Sequence, residues 1–283
     1  MKKFVTLLLA LAMVLSLAAC GGGDGGASAP ADDSQSSAPA DTGSDAGSDA
    51  GSDGAAFTTV EAGKLHMSTN AAFPPYEMTT DAGGFEGIDV EVAGAIANKL
   101  GLELVVDDMG FDAALTAVQT GQTDIAMAGI TVTEDRLKVM DFSDSYATGI
   151  QSIIVPEGSS IQSVDDLGNA SMIGTQKATT GSIYCTDDYG DDHVTQYETG
   201  ALAVMALVNG QVDAVVIDNE PAKSFVASND GLVILDSAYA VEDYAIGFAK
   251  GNTALLDAVN AAMAELKADG TFQSIVDTYI TAE

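Results

Sequence analysis

The feature that most constrains the fold of this chain is a helix–turn–strand unit that occurs twice. The first copy, ALTAVQTGQTD at 114–124, leads into an apolar segment at 125–128. The second copy, AVMALVNGQVD, begins 89 residues later at 203 and leads into 214–217. In both copies a glycine ends the predicted helix, and a Gly-Gln-x-Asp turn precedes a buried strand. Two such units in register predict two similar lobes, each with its own parallel sheet.

Short apolar strands alternate with amphipathic helices from residue 64 onward, which is typical of α/β architecture. The pattern predicts strands at 65–69 and 102–106 and a helix at 89–100. The two repeated strands end at Gly129 and Asp218. Because ligands bind beyond the carboxyl ends of strands in open α/β sheets, we expect these two ends to face each other across one cleft.

The N-terminus has the pattern of an export signal. Two lysines precede an apolar segment at 4–18 that is too short to span a bilayer comfortably. Residues 1–19 end before Cys20 in the motif LAAC, which resembles the lipobox of bacterial lipoproteins; a plain secretory signal with an incidental cysteine is the alternative. In lipoproteins that cysteine is diacylated, which anchors a chain without a spanning helix. Residues 20–56 are rich in Gly, Ser, Ala and Asp, so we expect a flexible tether.

The charge of the chain excludes several classes of partner. It carries 42 acidic and 10 basic residues, a formal net charge of −32. Such an acidic chain is a poor candidate for binding nucleic acid or for adsorbing directly to an anionic membrane.

With Cys20 lipidated, Cys185 has no disulfide partner. The acidic segment at 187–192 matches no metal-binding loop, and no nucleophile–His–acid pattern is present, so we predict no metal, no cofactor and no catalytic residues.

Arg136 is the single arginine of the chain, alongside nine lysines. Its planar guanidinium can bind a carboxylate at two points, which lysine cannot do. It follows Gly129 closely, at the start of a helix predicted to be capped by Thr133. A surface arginine paired with Glu134 is the alternative. The position beside the predicted cleft favours a carboxylate-binding role.

Several short motifs together resemble the extracytoplasmic solute-binding proteins of polar amino-acid ABC transporters. They are FPPYE at 73–77, GIDVEV at 87–92, FDAAL at 111–115, AGITVT at 128–133 followed by Arg136, DFS at 141–143, DDL at 165–167, TTGS at 179–182 and DAVVID at 213–218. The resemblance covers residues 60–281. It implies an α/β fold of the periplasmic-binding-protein type, a bilobal clamp whose two α/β lobes are joined by two crossover strands.

The resemblance also implies the domain boundaries. Lobe 1 is expected to be discontinuous, at 57–149 and 246–283, and lobe 2 to occupy 150–245. The crossover strands are expected near 146–154 and 243–250. Two C-terminal helices, at 253–267 and 271–280, would complete lobe 1.

For an α-amino acid ligand, the resemblance implies a cation and an anion on opposite lobes. Arg136 would bind the α-carboxylate, assisted by Thr131, Thr180 and the backbone N–H groups around Gly181. Asp218 would accept the α-ammonium from the other lobe. An N-cap for the helix that follows is the alternative role of Asp218.

The remaining residues assigned to the site are the Gly129 carbonyl for the ammonium, the adjacent Ala128, the aromatic walls Phe73 and Phe111, and Asn70 and Lys177. Members of the family that select basic amino acids tend to carry aspartate where this chain has Asn70. Lys177 would add a second cation in the cleft, which disfavours a basic ligand further. We therefore expect a neutral or acidic side chain, with glutamine as the leading candidate. Glu77 is expected to be structural.

These observations predict a monomeric receptor that captures a free amino acid and delivers it to the transmembrane subunits of an ABC permease. It would be held by lipidated Cys20 on the extracytoplasmic face of the cell membrane. An enzyme on the same fold, of the prephenate-dehydratase type, and a ligand-sensing domain are the alternatives. Both are weaker, because no general acid beyond the clamp and no signalling segment are evident.

Overall fold

The computed structural model describes residues 57–280. The predicted signal peptide (1–19), the lipidation site at Cys20 and the tether (20–56) lie outside these residues. Within the described range, no helix combines the length and apolar character needed to cross a bilayer.

The fold contains fourteen strands and eight α-helices among residues 57–280. The strands are β1 (Lys64–Thr69), β2 (Ala72–Phe73), β3 (Glu77–Thr79), β4 (Phe85–Glu86), β5 (Glu103–Asp108), β6 (Ile125–Ala126), β7 (Met140–Phe142), β8 (Ala147–Pro156), β9 (Ile173–Gln176), β10 (Val194–Tyr197), β11 (Ala214–Asp218), β12 (Leu232–Ile234), β13 (Ala240–Tyr244) and β14 (Gly247–Ala249). The helices are α1 (Ile88–Lys99), α2 (Phe111–Gln119), α3 (Glu134–Val139), α4 (Thr180–Tyr189), α5 (Gly200–Val208), α6 (Asn219–Ala227), α7 (Thr253–Ala268) and α8 (Thr271–Tyr279). Apart from the predicted strand at 243–250, the strands and helices predicted from the sequence lie within about two residues of these bounds, as expected for helix and strand ends.

Two mixed sheets organise the fold. The first has the order β5-β1-β6-β14-β7 and the second β10-β9-β11-β8-β12, with β13 also paired to β8. Each sheet has three parallel strands followed by an antiparallel one, β14 in the first and β8 in the second. The prediction of purely parallel sheets is therefore wrong. The antiparallel strands come from the segments that pass from one sheet to the other, a type of element that the repeat does not contain.

The repeated Gly-Gln-x-Asp turn has the same structural role in both halves. The Asp124 carboxylate accepts a hydrogen bond from the backbone N–H of His66 in β1 (2.8 Å). The Asp213 carboxylate accepts one from the backbone N–H of Met172, just before β9 (3.2 Å). Each aspartate thus ties the turn after a helix to the start of the neighbouring strand, which fixes the register of a buried parallel pair.

The two connections between the sheets differ in form from the predicted crossover strands. β8 lies entirely in the second sheet, so the first crossing falls between β7 and β8. The predicted strand at 243–250 is divided, because β13 pairs with β8 whereas β14 pairs with β6 and β7. The chain therefore crosses at 245–246, and an isolated bridge between Thr131 and Tyr244 links the two sides there. The exact lobe boundaries stay a prediction.

The C-terminal helices return to the first sheet. α7 and α8 both contact α1, which packs on β5. Their buried side chains, including Leu255, Val259 and Leu266, join the same hydrophobic cluster as Leu65 and Ile96. This packing holds β6, and the loop that follows it, on a rigid support.

Candidate ligand-binding site

A small cavity, partly open to solvent, lies beyond the carboxyl ends of β6 and β11. It is lined by Asn70, Phe73, Glu77, Phe111, Ala128, Gly129, Thr131, Arg136, Gln176, Thr179, Thr180 and Asp218. Among the described residues, Lys177 and Gly181 are the two predicted site residues absent from this lining. Glu77, Gln176 and Thr179 line the cavity although the sequence did not single them out as ligand contacts.

Arg136 is buried, with 8% of its surface exposed, so it is not a surface arginine paired with Glu134. Helix α3 begins as predicted, because the Thr133 hydroxyl accepts the Arg136 N–H (3.2 Å). The guanidinium donates from Nη1 to the Thr131 carbonyl (2.8 Å) and from Nη2 to the Ala178 carbonyl (3.1 Å). Its remaining donors, of the five that arginine has, make no hydrogen bond within residues 57–280 and suit a carboxylate in the cavity.

The arginine is held against an aromatic wall. The guanidinium carbon lies 5.5 Å from the centroid of the Phe111 ring, within the range of a cation–π contact. Phe73, also in the lining, stacks on Tyr76 with 5.9 Å between ring centroids. Both phenylalanines are 7% exposed and line the cavity, which gives it two apolar faces around a polar centre.

Asp218 ends β11 and is also buried. It occupies the N-cap position of α6, yet its side chain makes no capping hydrogen bond, which contradicts the capping alternative. The carboxylate instead accepts a hydrogen bond from the Tyr244 hydroxyl. Burial raises the pKa of Asp218 to about 7, and the Tyr244 hydrogen bond opposes part of this rise. A buried carboxylate with so little compensation is a favourable partner for an ammonium group.

Gly129 is required by geometry. Its φ is 54°, and a Cβ there would lie 2.8 Å from the Phe73 ring. Its N–H donates to the Asp89 carboxylate (3.0 Å), which also accepts a hydrogen bond from the Tyr146 hydroxyl (2.9 Å). Asp89 therefore fixes the loop that carries Gly129. Burial raises the pKa of Asp89 to about 6, against the effect of these two hydrogen bonds.

Glu77, expected to be structural, lies between the structural network and the cavity. It is fully buried in β3 and is one of the lining residues. Burial, together with the nearby Asp89 carboxylate, raises the pKa of Glu77 well above its ordinary value. Neither Glu77 oxygen has a hydrogen-bond partner within residues 57–280, so burial favours the neutral form of this carboxyl group.

Glu242 was not anticipated from the sequence. It lies in β13, and its Oε2 accepts hydrogen bonds from the Thr180 hydroxyl (2.9 Å), the Gln151 amide (3.0 Å) and the Thr131 hydroxyl (3.3 Å). Its Oε1 accepts one from the Tyr184 hydroxyl (2.8 Å). A hydroxyl has one proton to donate, so Thr131 and Thr180 offer only lone pairs to a ligand while they donate to Glu242.

The first turn of α4 supplies backbone donors at the cavity. Thr179 is its N-cap and accepts the Ser182 N–H (3.4 Å). The first N–H groups of a helix have no partner within the helix, and the helix dipole favours an anion there. Gly181 itself has a packing role, because a Cβ at this position would lie 2.7 Å from Gln151 Oε1. The glycine lets α4 approach β8.

Lys177 lies outside the cavity lining. Its Nζ pairs with Asp112 of α2 (2.8 Å) and lies 3.8 Å from Glu198, and its side chain is 45% exposed. In this geometry Lys177 does not present a second cation to a ligand in the cavity. Nearby, the Gln176 amide donates to the Asn70 Oδ1 (2.9 Å), so polar pairs join the two sides of the cavity.

We expect Lys177→Met to change the affinity for any ligand of this cavity by no more than about 5-fold, because an exposed ion pair contributes roughly 1 kcal/mol or less. Titration calorimetry on the wild-type protein and the variant provides the measurement. A loss of 10-fold or more would return Lys177 to the binding site.

No group of three or more His, Cys, Asp and Glu side chains in the described part of the chain is arranged to hold a metal ion. Cys185 is buried, and burial raises the pKa of its thiol to about 12.

Comparisons with known proteins agree on one family. The family model of bacterial extracellular solute-binding proteins, family 3, matches residues 65–282. The probable histidine-binding protein of Neisseria gonorrhoeae is 29% identical over 291 residues, which cover 100% of this chain and 97% of that protein. The ABC transporter glutamine-binding protein GlnH of Bacillus subtilis (strain 168) is 32% identical over 202 residues, covering 70% and 74%. The solved structure of an ancestral arginine-binding protein bound to glutamine is 36% identical with a TM-score of 0.74, covering 78% of this chain and 99% of that one.

These matches confirm the predicted fold, a bilobal clamp of the periplasmic-binding-protein type. The relatives are binding proteins of amino-acid transporters rather than enzymes. The chain therefore belongs to the bacterial extracellular solute-binding proteins of family 3.

Proposed function

We propose that this protein is the substrate-binding component of an ABC transporter that captures a polar amino acid between its lobes and delivers it to a membrane permease. One observation carries the proposal: Arg136 and Asp218 are both buried and line one cavity, with Arg136 on α3 after β6 of the first sheet and Asp218 at the end of β11 in the second. An α-amino acid carries the two complementary charges on one carbon. A single ligand can therefore bridge the two halves and stabilise their closed arrangement.

In this proposal each end of the ligand has its own partners. The α-carboxylate binds the free donors of Arg136 and the N–H groups at the start of α4. The α-ammonium binds the Asp218 carboxylate and the Gly129 carbonyl. The aliphatic part packs between Phe73 and Phe111, and the side chain extends toward Asn70.

The nature of the side chain rests on fewer residues. Asn70 is neutral and lines the cavity beside Gln176, whose amide it binds. Two neutral amides suit a polar, neutral side chain, and glutamine is the first ligand to test. The relatives include proteins named for histidine, glutamine and arginine, so the class of ligand is better supported than its identity.

The mode of attachment follows from the N-terminal segment. We propose that lipidated Cys20 anchors a monomer to the extracytoplasmic face of the cell membrane. Residues 20–56 would act as the tether, giving the receptor reach toward the transmembrane subunits of the permease.

A panel of free amino acids, tested by thermal shift on residues 57–283 after unfolding and refolding to remove bound ligand, checks the proposal. At a ligand concentration about 100 times Kd, binding stabilises the native state by about 2.7 kcal/mol, which for a domain of this size corresponds to a rise in Tm of several degrees. We expect such a rise for at least one polar amino acid. If none of the twenty raises Tm, while the refolded protein melts cooperatively, the proposed function is wrong.

A further inference from the structure

We propose that Glu242 is a specificity-determining residue, which makes this cavity reject amino acids with an acidic side chain and accept neutral and cationic ones. The inference rests on the proposed function and narrows its ligand class. It removes the acidic ligands that the sequence alone left open.

Glu242 lies next to residues that line the cavity. Its carboxylate is 7% exposed and hydrogen-bonds to Thr131 and Thr180, both of which line the cavity. It is therefore separated from a ligand by the width of one side chain. Four hydrogen-bond donors surround its two oxygens, and this is the set that an ionised carboxylate accepts.

A ligand in the cavity meets a net negative charge. Arg136 is the one cation that lines the cavity within residues 57–280, and Asp218 is the carboxylate paired with the ligand's ammonium. Glu242 adds a second carboxylate, so the three groups sum to minus one when ionised. Asp89, with a pKa of about 6, adds charge of the same sign at pH 7.5, whereas Lys177 is half-exposed and already paired with Asp112.

This negative charge discriminates between amino acids by the charge of their side chains. The α-ammonium and α-carboxylate of any amino acid cancel, so its side chain decides the final charge of the site. An acidic side chain makes the site more negative, and a cationic side chain neutralises it. Because the side chain extends toward Asn70, its charge lies further from Glu242 than the α-carboxylate does. At an effective dielectric constant of about 20 and a separation of about 10 Å, one extra charge changes affinity by roughly 15-fold.

Glu242→Gln is a suitable test because its hydrogen bonds can all be kept. The glutamine oxygen can accept from Thr131, Thr180 and Gln151, and its amide nitrogen can donate to the oxygen of the Tyr184 hydroxyl. The variant therefore removes one charge at constant shape. Asp243→Asn is the matched control, since it removes the same charge from the next residue of β13, whose side chain is exposed and hence screened by solvent.

The experiment compares two pairs of near-isosteric ligands by titration calorimetry at pH 7.5: glutamine with glutamate, and citrulline with arginine. For the wild-type protein we expect glutamine to bind at least about 10-fold more tightly than glutamate, and arginine more tightly than citrulline. In Glu242→Gln, glutamate should gain roughly 10-fold in affinity relative to glutamine, and arginine should lose roughly 10-fold relative to citrulline. Asp243→Asn should leave both within about 2-fold.

A relative gain for the acidic ligand together with a relative loss for the cationic ligand identifies an electrostatic effect. A general loss of structure would instead weaken both members of each pair alike. If glutamate binds the wild-type protein as tightly as glutamine, or if Glu242→Gln leaves both ratios unchanged, the inference is overturned while the proposed function stands. Should Glu242→Gln fail to fold, the wild-type ratios alone decide. If no amino acid binds at all, the proposed function fails and this inference fails with it.

Discussion

Arg136→Lys is expected to weaken amino-acid binding by at least about 100-fold, because it removes two charge-assisted hydrogen bonds of roughly 1.5–3 kcal/mol each. The guanidinium already donates to the Thr131 and Ala178 carbonyls. A lysine ammonium has three donors at one point, so it cannot bind both carbonyls and also grip a carboxylate at two oxygens. Titration calorimetry with the best ligand of the panel measures the loss.

Lys138→Met is the matched control for this prediction. Lys138 lies on the same helix and pairs with Asp135, and both side chains are largely exposed. We expect this variant to bind within about 2-fold of the wild-type protein. Arg136→Lys should also keep a cooperative melting transition in the absence of ligand. If Arg136→Lys binds within 10-fold of the wild-type protein, a positive charge is sufficient at this position and the planar guanidinium is not needed.

Asp218→Asn is expected to abolish both tight binding and the pH dependence of binding. In the ligand-free protein, burial raises the pKa of Asp218 to about 7. An ammonium group binds the ionised form, so binding below that pH must release a proton. The Kd of the wild-type protein should therefore rise by up to about 10-fold for each pH unit below 7 and level off above pH 8. Calorimetry between pH 5 and 9 in two buffers of different ionisation enthalpy measures the proton released.

The same substitution should stabilise the ligand-free fold at alkaline pH. The pKa of Asp218 in the folded state lies above the ordinary value of 3.8. Its contribution to stability is therefore fully present below about pH 4 and is lost as the pH rises through about 7. At pH 8 Asp218→Asn should melt at a higher temperature than the wild-type protein, whereas Asp243→Asn should not. A lower Tm for Asp218→Asn at pH 8 would contradict a buried, poorly compensated carboxylate.

The parts of the fold that could be predicted are those set by local patterns. The repeat located β6 and β11 and, through them, the edge at which Gly129 and Asp218 lie. Helix capping placed the start of α3 at Thr133, which in turn put Arg136 beside the cavity. These features depend on spacing and turn chemistry, and both can be read from a single sequence.

The parts that could not be predicted depend on contacts between distant segments. Glu242 is one of 42 acidic residues. Nothing nearby in the sequence indicates that its carboxylate accepts hydrogen bonds from threonine hydroxyls of both halves. Lys177 was expected in the cavity, but its long side chain reaches Asp112 on α2 instead. The division of the second crossing into β13 and β14 likewise follows from which strands are available for pairing.

The contacts across the mouth of the cavity bear on how fast a bound molecule can leave. The Asn70–Gln176 and Asp112–Lys177 pairs and the bond from Arg136 to the Ala178 carbonyl are all polar. When the two sides part, water replaces each of these partners, so the net change in free energy per contact is small. Apolar contacts also join the two sides, since Ala178 packs against the cluster that contains Phe111. The dissociation rate therefore depends mainly on these apolar contacts and on the contacts made to the ligand itself, while the polar pairs at the mouth add little to the barrier.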